Sequence, residues 1–377
     1  MNKVLISLSV MVIVLGSVMI LQYQQSSPTT QPFNPLPQLL KSEANGFNAV
    51  KPGWQYVFPD DYGAHPNFQM DAWYFSGYLT STQNQLFGFQ MTFFRFALAP
   101  EKAASDSVWA SNEIYRAHVA ITDVGRKQFH VSERFGRAKL GAGASQSPLQ
   151  AWLDDWEIRM PDENQPRFQI RAISKEINLI LDLEIVKEEV TNVDTGAGMP
   201  PFHGYWLPRL RASGRIELGS DTITVNGIAT LSQVWGGLSL YRGQIALNRF
   251  VLQLDDKREI LIFQLRRRDG SADPINTGLL VAPDGAVRRL SRQELTLSVL
   301  EHWQSSKGDV RYPARWRLQI PEEDIELDIV PMLRNQELNL SVRYWNGLVK
   351  VTGISAGQVV SGAGQVELTA YAPDPSL

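Results

Sequence analysis

Cysteine is absent from all 377 positions, so a disulfide framework, thiolate chemistry and a lipid-modified cysteine are all excluded. An excess of basic charge is missing too. The 36 Lys and Arg against 39 Asp and Glu leave a net charge of -3, which offers no electrostatic footprint for nucleic acid. No zinc-ligand spacing, phosphate-cradling glycine loop or nucleophile elbow occurs, and neither a metal nor a cofactor is implied. The one dense basic run, Arg266-Arg267-Arg268, leads into Asp269-Gly270 and reads as a solvated strand end and turn. Helical periodicity is scarce, with room for a helical turn or a crossing loop between Ala99 and Asn112.

What the chain does have is an apolar fraction of 44% with 20% charged residues, a globular balance over a length that suits two ordinary domains. Lys3 precedes Val4 to Leu21, 18 uncharged positions. At a helical rise of about 1.5 Å per residue they would reach roughly 27 Å, close to a bilayer core. Residues 1–24 therefore read as a signal anchor or a cleaved signal peptide. A cytoplasmic Lys3 would place the rest on the periplasmic side of the inner membrane. Residues 25–45, rich in Ser, Thr, Pro and Gln, read as an extended tether.

Beyond the tether the apolar period is two. Asn178 to Leu183, Arg215 to Leu218, Glu326 to Val330, Leu338 to Val342 and Gln365 to Thr369 alternate apolar and polar side chains. Turn signals at Asp255-Asp256, Asp269-Gly270 and Asp284-Gly285 separate such runs and predict antiparallel hairpins. The chain is predicted all-β. Barrels and sandwiches both satisfy this pattern, although barrels alone remove exposed sheet edges.

Particular segments carry a resemblance. Phe58-Pro59-Asp60-Asp61-Tyr62-Gly63-Ala64-His65, Trp73 to Leu79, Phe87 to Arg95, His118 to Asp123, Leu247-Asn248-Arg249-Phe250, Tyr344-Trp345 and Val366 to Thr369 resemble the exported carotenoid 1,2-hydratase (hydroxyneurosporene synthase) and AttH-like family. The resemblance implies two consecutive lipocalin-like antiparallel barrels, placed at 46–238 and 239–377. Where that family reads Trp-Met-Asp-Arg/His-Glu-Trp, this chain has Thr230-Leu231-Ser232-Gln233-Val234-Trp235, so Ser232 stands where the hydratase acid would be. Ala72 and Asn346 also replace expected family residues. Hydrating an isolated alkene needs a donor strong enough to form a carbocation, aromatic faces to stabilise it and a placed water. A serine hydroxyl is not that donor.

The candidate ligand-binding residues are Trp73, Tyr74, Phe87, Phe93, Phe94, Arg95, Tyr205, Trp206, Ser232 and Trp235, which either surround a cavity in the first barrel or fill its core. Ser232 is expected to face the interior or mouth of that barrel, beside Trp235 and the strand around Trp73. Asp71 and His118 are the candidate catalytic residues. Asp71 could act as a proton donor if burial keeps it neutral, and His118 could instead be a structural hydrogen-bonding group. Arg95 could pair with Asp71 or with an anionic head group. Tyr205-Trp206, followed by Arg209, could shape a cavity entrance, while Pro200-Pro201 and Pro208 equally describe a rigid surface loop. The expected function is binding or presenting an apolar lipid or isoprenoid in the bacterial envelope, and the resemblance also permits an accessory role beside an exporter; the alternative is isoprenoid hydration.

Overall fold

The computed structural model describes residues 46–100, 111–165, 167–191, 202–237, 244–267, 277–308 and 310–371. The expectations for an anchor over 1–24 and a tether over 25–45 lie outside these residues, as does most of the segment between Ala99 and Asn112. Among the described residues there is no α-helix, so none is long and apolar enough to cross a membrane.

The first twelve strands are β1 (Met70–Ser81), β2 (Leu86–Ala97), β3 (Glu113–Asp123), β4 (Gln128–Ala138), β5 (Gly141–Ala144), β6 (Gln150–Leu153), β7 (Trp156–Arg159), β8 (Arg167–Ile173), β9 (Ile177–Ile185), β10 (Val190–Thr191), β11 (Phe202–Leu218) and β12 (Asp221–Gly236). They form one sheet in the order β10-β11-β12-β1-β2-β3-β4-β5-β6-β7-β8-β9, and a further β11–β9 pairing closes it into a barrel.

The second sheet comprises β13 (Gln244–Leu254), β14 (Glu259–Arg267), β15 (Thr277–Val281), β16 (Val287–Leu290), β17 (Thr296–Gln304), β18 (Arg311–Ile320), β19 (Ile325–Pro331), β20 (Glu337–Asn339), β21 (Arg343–Ser355) and β22 (Gln358–Leu368). Its order is β16-β15-β14-β13-β22-β21-β19-β18-β17, a half-barrel curled around its own core. The fold is therefore the two-barrel lipocalin-like architecture.

Alternation decides what each strand buries. On β1 and β2 the odd positions Trp73, Phe75, Leu79, Phe87, Phe89, Met91 and Phe93 fill the first barrel with Tyr205, Leu231 and Trp235. The even positions of β1–β3 are largely buried as well, because the outer face of β12-β1-β2-β3 lies against the outer face of β14-β13-β22-β21. Part of this join is apolar, formed by Val190, Trp206, Val251, Leu261, Phe263 and Leu265. Beside it Glu259, fully buried, pairs with Lys187 (2.7 Å) and with Arg209. Gln253 adds donation from Nε2 to the carbonyls of Pro208 (2.8 Å) and Ala229 (3.1 Å).

Two readings of the sequence change here. Tyr205, Trp206 and Pro208 belong to β11 rather than to a surface loop, and Pro208 falls within a register shift between Leu207 and Leu210, a place where a missing N–H breaks no ladder. The alternation from Leu338 to Val342 supports a strand only as far as Asn339.

Candidate functional site

Strand register splits the sequence-selected residues into two groups. Trp73, Phe87, Phe93, Tyr205 and Trp235 point into the first barrel, where each is at most 1% exposed. Trp206, Ser232, Tyr74, Thr92 and His118 stand side by side across β11, β12, β1, β2 and β3, on the opposite face. The ten candidates therefore do not surround one cavity. Ser232 does not face the barrel interior beside Trp235 and Trp73, because Trp235 lies three residues along β12 and Trp73 stands opposite the neighbouring Gln233, which puts both on the other face. It faces the second sheet.

Asp71 and Arg95 lie on the inner face at one end of the first barrel. Arg95 Nε donates to Asp71 Oδ2 (2.7 Å), Nη1 to Glu113 Oε1 (2.9 Å) and Nη2 to the carbonyls of His65 (2.8 Å) and Phe68 (2.7 Å). His65 stacks on Trp235 with ring centroids 3.8 Å apart, and its ring nitrogens meet Asp71 Oδ1 (2.9 Å) and Asp61 Oδ1 (3.1 Å). Burial alone would raise the Asp71 pKa, but the Arg95 charge and the bonds to His65 and Arg95 outweigh it and hold the carboxyl below its ordinary value. Asp71 is thus an ion-paired carboxylate, and the condition for its acting as a proton donor, that burial keep it neutral, is not met: the charges and hydrogen bonds of Arg95 and His65 outweigh desolvation. Arg95 is spent in closing the barrel end.

The outer face carries different chemistry. Arg249 of β13 sits over the Tyr74 ring, 4.6 Å from its centroid, and pairs with Glu367 (3.3 Å). The Tyr344 hydroxyl of β21 and His118 Nε2 lie 2.6 Å apart. Gln90 Nε2 donates to the Asn346 carbonyl (3.3 Å). Arg116 lies over Phe94 (5.4 Å) and donates through Nε to Glu133 (2.7 Å), which also accepts from the Ser341 hydroxyl (2.6 Å) and amide (2.9 Å) of the second barrel.

Among the described residues, six buried polar atoms on the two surfaces that face each other have no hydrogen-bond partner: Gln90 Oε1, Arg116 Nη2, His118 Nδ1, Ser232 Oγ, Asn346 Oδ1 and Gln365 Oε1. Each belongs to a side chain at least nine-tenths buried. Buried polar groups are paired in the great majority of cases, so six unpaired atoms between two aromatic-bearing sheets make this face the candidate site.

Burial, then the nearby Arg116 charge, pushes the His118 pKa well below its ordinary value, so this imidazole is neutral. Burial, then Glu367, holds the Tyr344 phenol protonated far above neutrality. Among the described residues no group of three His, Cys, Asp or Glu side chains converges as a metal site. Sequence reading missed Gln90, Arg116, Arg249, Tyr344 and Gln365 as site residues. Three of these, Gln90, Arg249 and Tyr344, lie inside matching motif segments, and the period of two along β2 and β3 puts Gln90 and Arg116 on the face of Phe94 and His118.

Fold and face together define a class: a two-barrel lipocalin-like protein with six unpaired buried polar atoms on the face between its barrels, although Trp235 Nε1 inside the first barrel and Asn248 Oδ1 on β13 are unpaired as well. The chain belongs to the AttH-like family, which matches residues 49–371. No curated protein matches it. It is similar to the crystal structure of a putative AttH from Nitrosomonas europaea, 27% identical, over 86% of this chain and 100% of that one, with a TM-score of 0.76. Kievitone hydratase from Nectria haematococca shares the fold at 13% identity, over 87% of this chain and 97% of that one, with a TM-score of 0.65.

Proposed function

We propose that this chain is an envelope-located binding protein that takes an apolar molecule with a polar end, a lipid or isoprenoid, at the face between its two barrels. One observation carries the reading: six unpaired polar atoms buried among Tyr74, Phe94, Trp206 and Tyr344. The apolar part of a ligand would lie against the rings, and its oxygen atoms would satisfy the orphaned groups. The apolar segment at Val4 to Leu21 and the Pro-rich stretch after it support tethering on the periplasmic side of the inner membrane, where a partner exporter could receive or deliver the ligand.

Binding is favoured over hydration by the state of the two candidate acids. Asp71 is ion-paired on the far side of the sheet, and His118 is neutral. Neither supplies the strong proton donor that an isolated alkene demands. Delipidated protein titrated with fluorescent polyene and fatty-acyl probes should show saturable changes in emission. Those changes should weaken about tenfold or more in a Tyr74→Ala, Phe94→Ala double variant that remains folded. Failure of the folded native protein to bind any such probe would sink the proposal. Product carrying oxygen from labelled water, formed from an isoprenoid alkene, would replace it with the hydratase reading.

A further inference from the structure

The inter-barrel face also limits the charge of what it can hold, an inference that rests on the binding reading above. Four ionic side chains border it, and they already balance. Arg116 is matched by Glu133 at 2.7 Å and Arg249 by Glu367 at 3.3 Å. Arg116 and Arg249 are within a tenth of full burial, and the side chains of Glu133 and Glu367 are only 11% and 16% exposed. His118 adds no charge, because burial and Arg116 keep it neutral.

A carboxylate or phosphate entering this face would bury a negative charge with no cation left over, among the described residues, to meet it. That cost exceeds what one more hydrogen bond returns. The unpaired atoms point the same way. Arg116 Nη2 is a donor beside the Phe94 ring, and suits a carbonyl oxygen. Gln90 Oε1, Asn346 Oδ1 and Gln365 Oε1 are acceptors and suit hydroxyl hydrogens, while Ser232 Oγ and His118 Nδ1 complete the set between them. The orientation of Gln90 is set by donation of its Nε2 to the Asn346 carbonyl.

We infer that the ligand of the inter-barrel face is an uncharged amphiphile, recognised by a carbonyl oxygen at Arg116 and by hydroxyl hydrogens at the Gln90, Asn346 and Gln365 carbonyls, and that the face rejects carboxylate-ended and phosphate-ended lipids. Glu133 acts here as a selectivity residue: it does not touch the ligand, but its charge already occupies Arg116.

The test uses one hydrocarbon with three ends: retinyl acetate, retinol and retinoate, titrated at pH 7.5 into the delipidated protein and followed by quenching of tryptophan emission. The neutral pair should bind, with retinoate weaker by about tenfold or more. In Glu133→Gln, which frees Arg116 while keeping the side-chain shape, retinoate should gain by a similar factor and the neutral ligands should change little. A melting curve establishes that the variant is folded. If the variant unfolds, Arg116→Met is used instead, and should weaken retinyl acetate more than retinol. Retinoate binding as tightly as the neutral pair in native protein would overturn the charge rule while leaving the binding reading intact. A folded Glu133→Gln protein, or failing that an Arg116→Met protein, with unaltered selectivity would also overturn it. Absence of binding by all three would overturn both.

Discussion

Ser232 shows how one side chain's direction reassigns a site. Its hydroxyl is buried on the inter-barrel face without a partner, so removing it relieves an unsatisfied group, whereas an acid there would be desolvated. Ser232→Ala should be neutral or stabilising in urea unfolding. Ser232→Asp should cost about 2–4 kcal/mol, because no free cation among the described residues faces it; a cost below about 0.5 kcal/mol would mean that the introduced carboxylate stays hydrated. His65 makes a prediction about pH. Burial alone would lower its pKa, but Asp61 and Asp71 at its two ring nitrogens outweigh that and raise it above 6.5. A raised folded-state value means that the stabilisation is complete below the unfolded value of 6.5 and is lost as pH rises through the higher folded value. Asp71 works in the opposite sense, its contribution being lost as pH falls through a value below 3.8. Melting temperatures across the alkaline side should therefore fall more steeply in native protein than in His65→Gln, and equal slopes would show that the imidazolium contributes nothing there.

At the scale of strands, the period of two was plainly legible wherever one face is wet, as in Asn178 to Leu183 on β9 and Glu326 to Val330 on β19. It was least informative on β1, β2 and β3. Those strands are covered on both sides, so polar residues on the outer face read like interruptions of a core instead of a second surface. The family and the two-barrel fold were recoverable from motif segments, and so were Tyr74, Phe94, His118 and Ser232 as residues of interest. The face between the barrels was not, since it depends on which outer surfaces meet, and that contact is distant in sequence. Gly88 makes this contact testable: a Cβ built there would stand 2.8 Å from the Leu348 Cβ of the second barrel. Gly88→Ala should destabilise by about 1–3 kcal/mol. Leu348→Ala should cost less in the Gly88→Ala background than in native protein, and strict additivity in this double-mutant cycle would show that the two strands do not touch as described.

Over the whole molecule, the two barrels are joined by an apolar patch and by a buried ionic knot at Glu259. Glu259→Gln leaves Lys187 and Arg209 without their anion, each only 9% exposed, and should cost about 3–5 kcal/mol. It should also separate the melting of the two barrels into two calorimetric transitions; a single unshifted transition would show that the knot does not couple them. The order of the chain gives the same join a consequence during synthesis. The first barrel closes once β11 and β12 have been made, but every strand that covers its outer face is encoded after residue 243. At a synthesis rate of about 5–20 residues per second, the roughly 140 residues that follow position 237 take about 7–28 seconds to appear. Through that interval Tyr74, Phe94, Trp206 and their polar neighbours form an uncovered, adhesive flank on an otherwise finished unit. A nascent chain stalled near residue 240 should therefore need a holding chaperone to stay soluble, and should be released from it once β13, β14, β21 and β22 emerge to cover that flank.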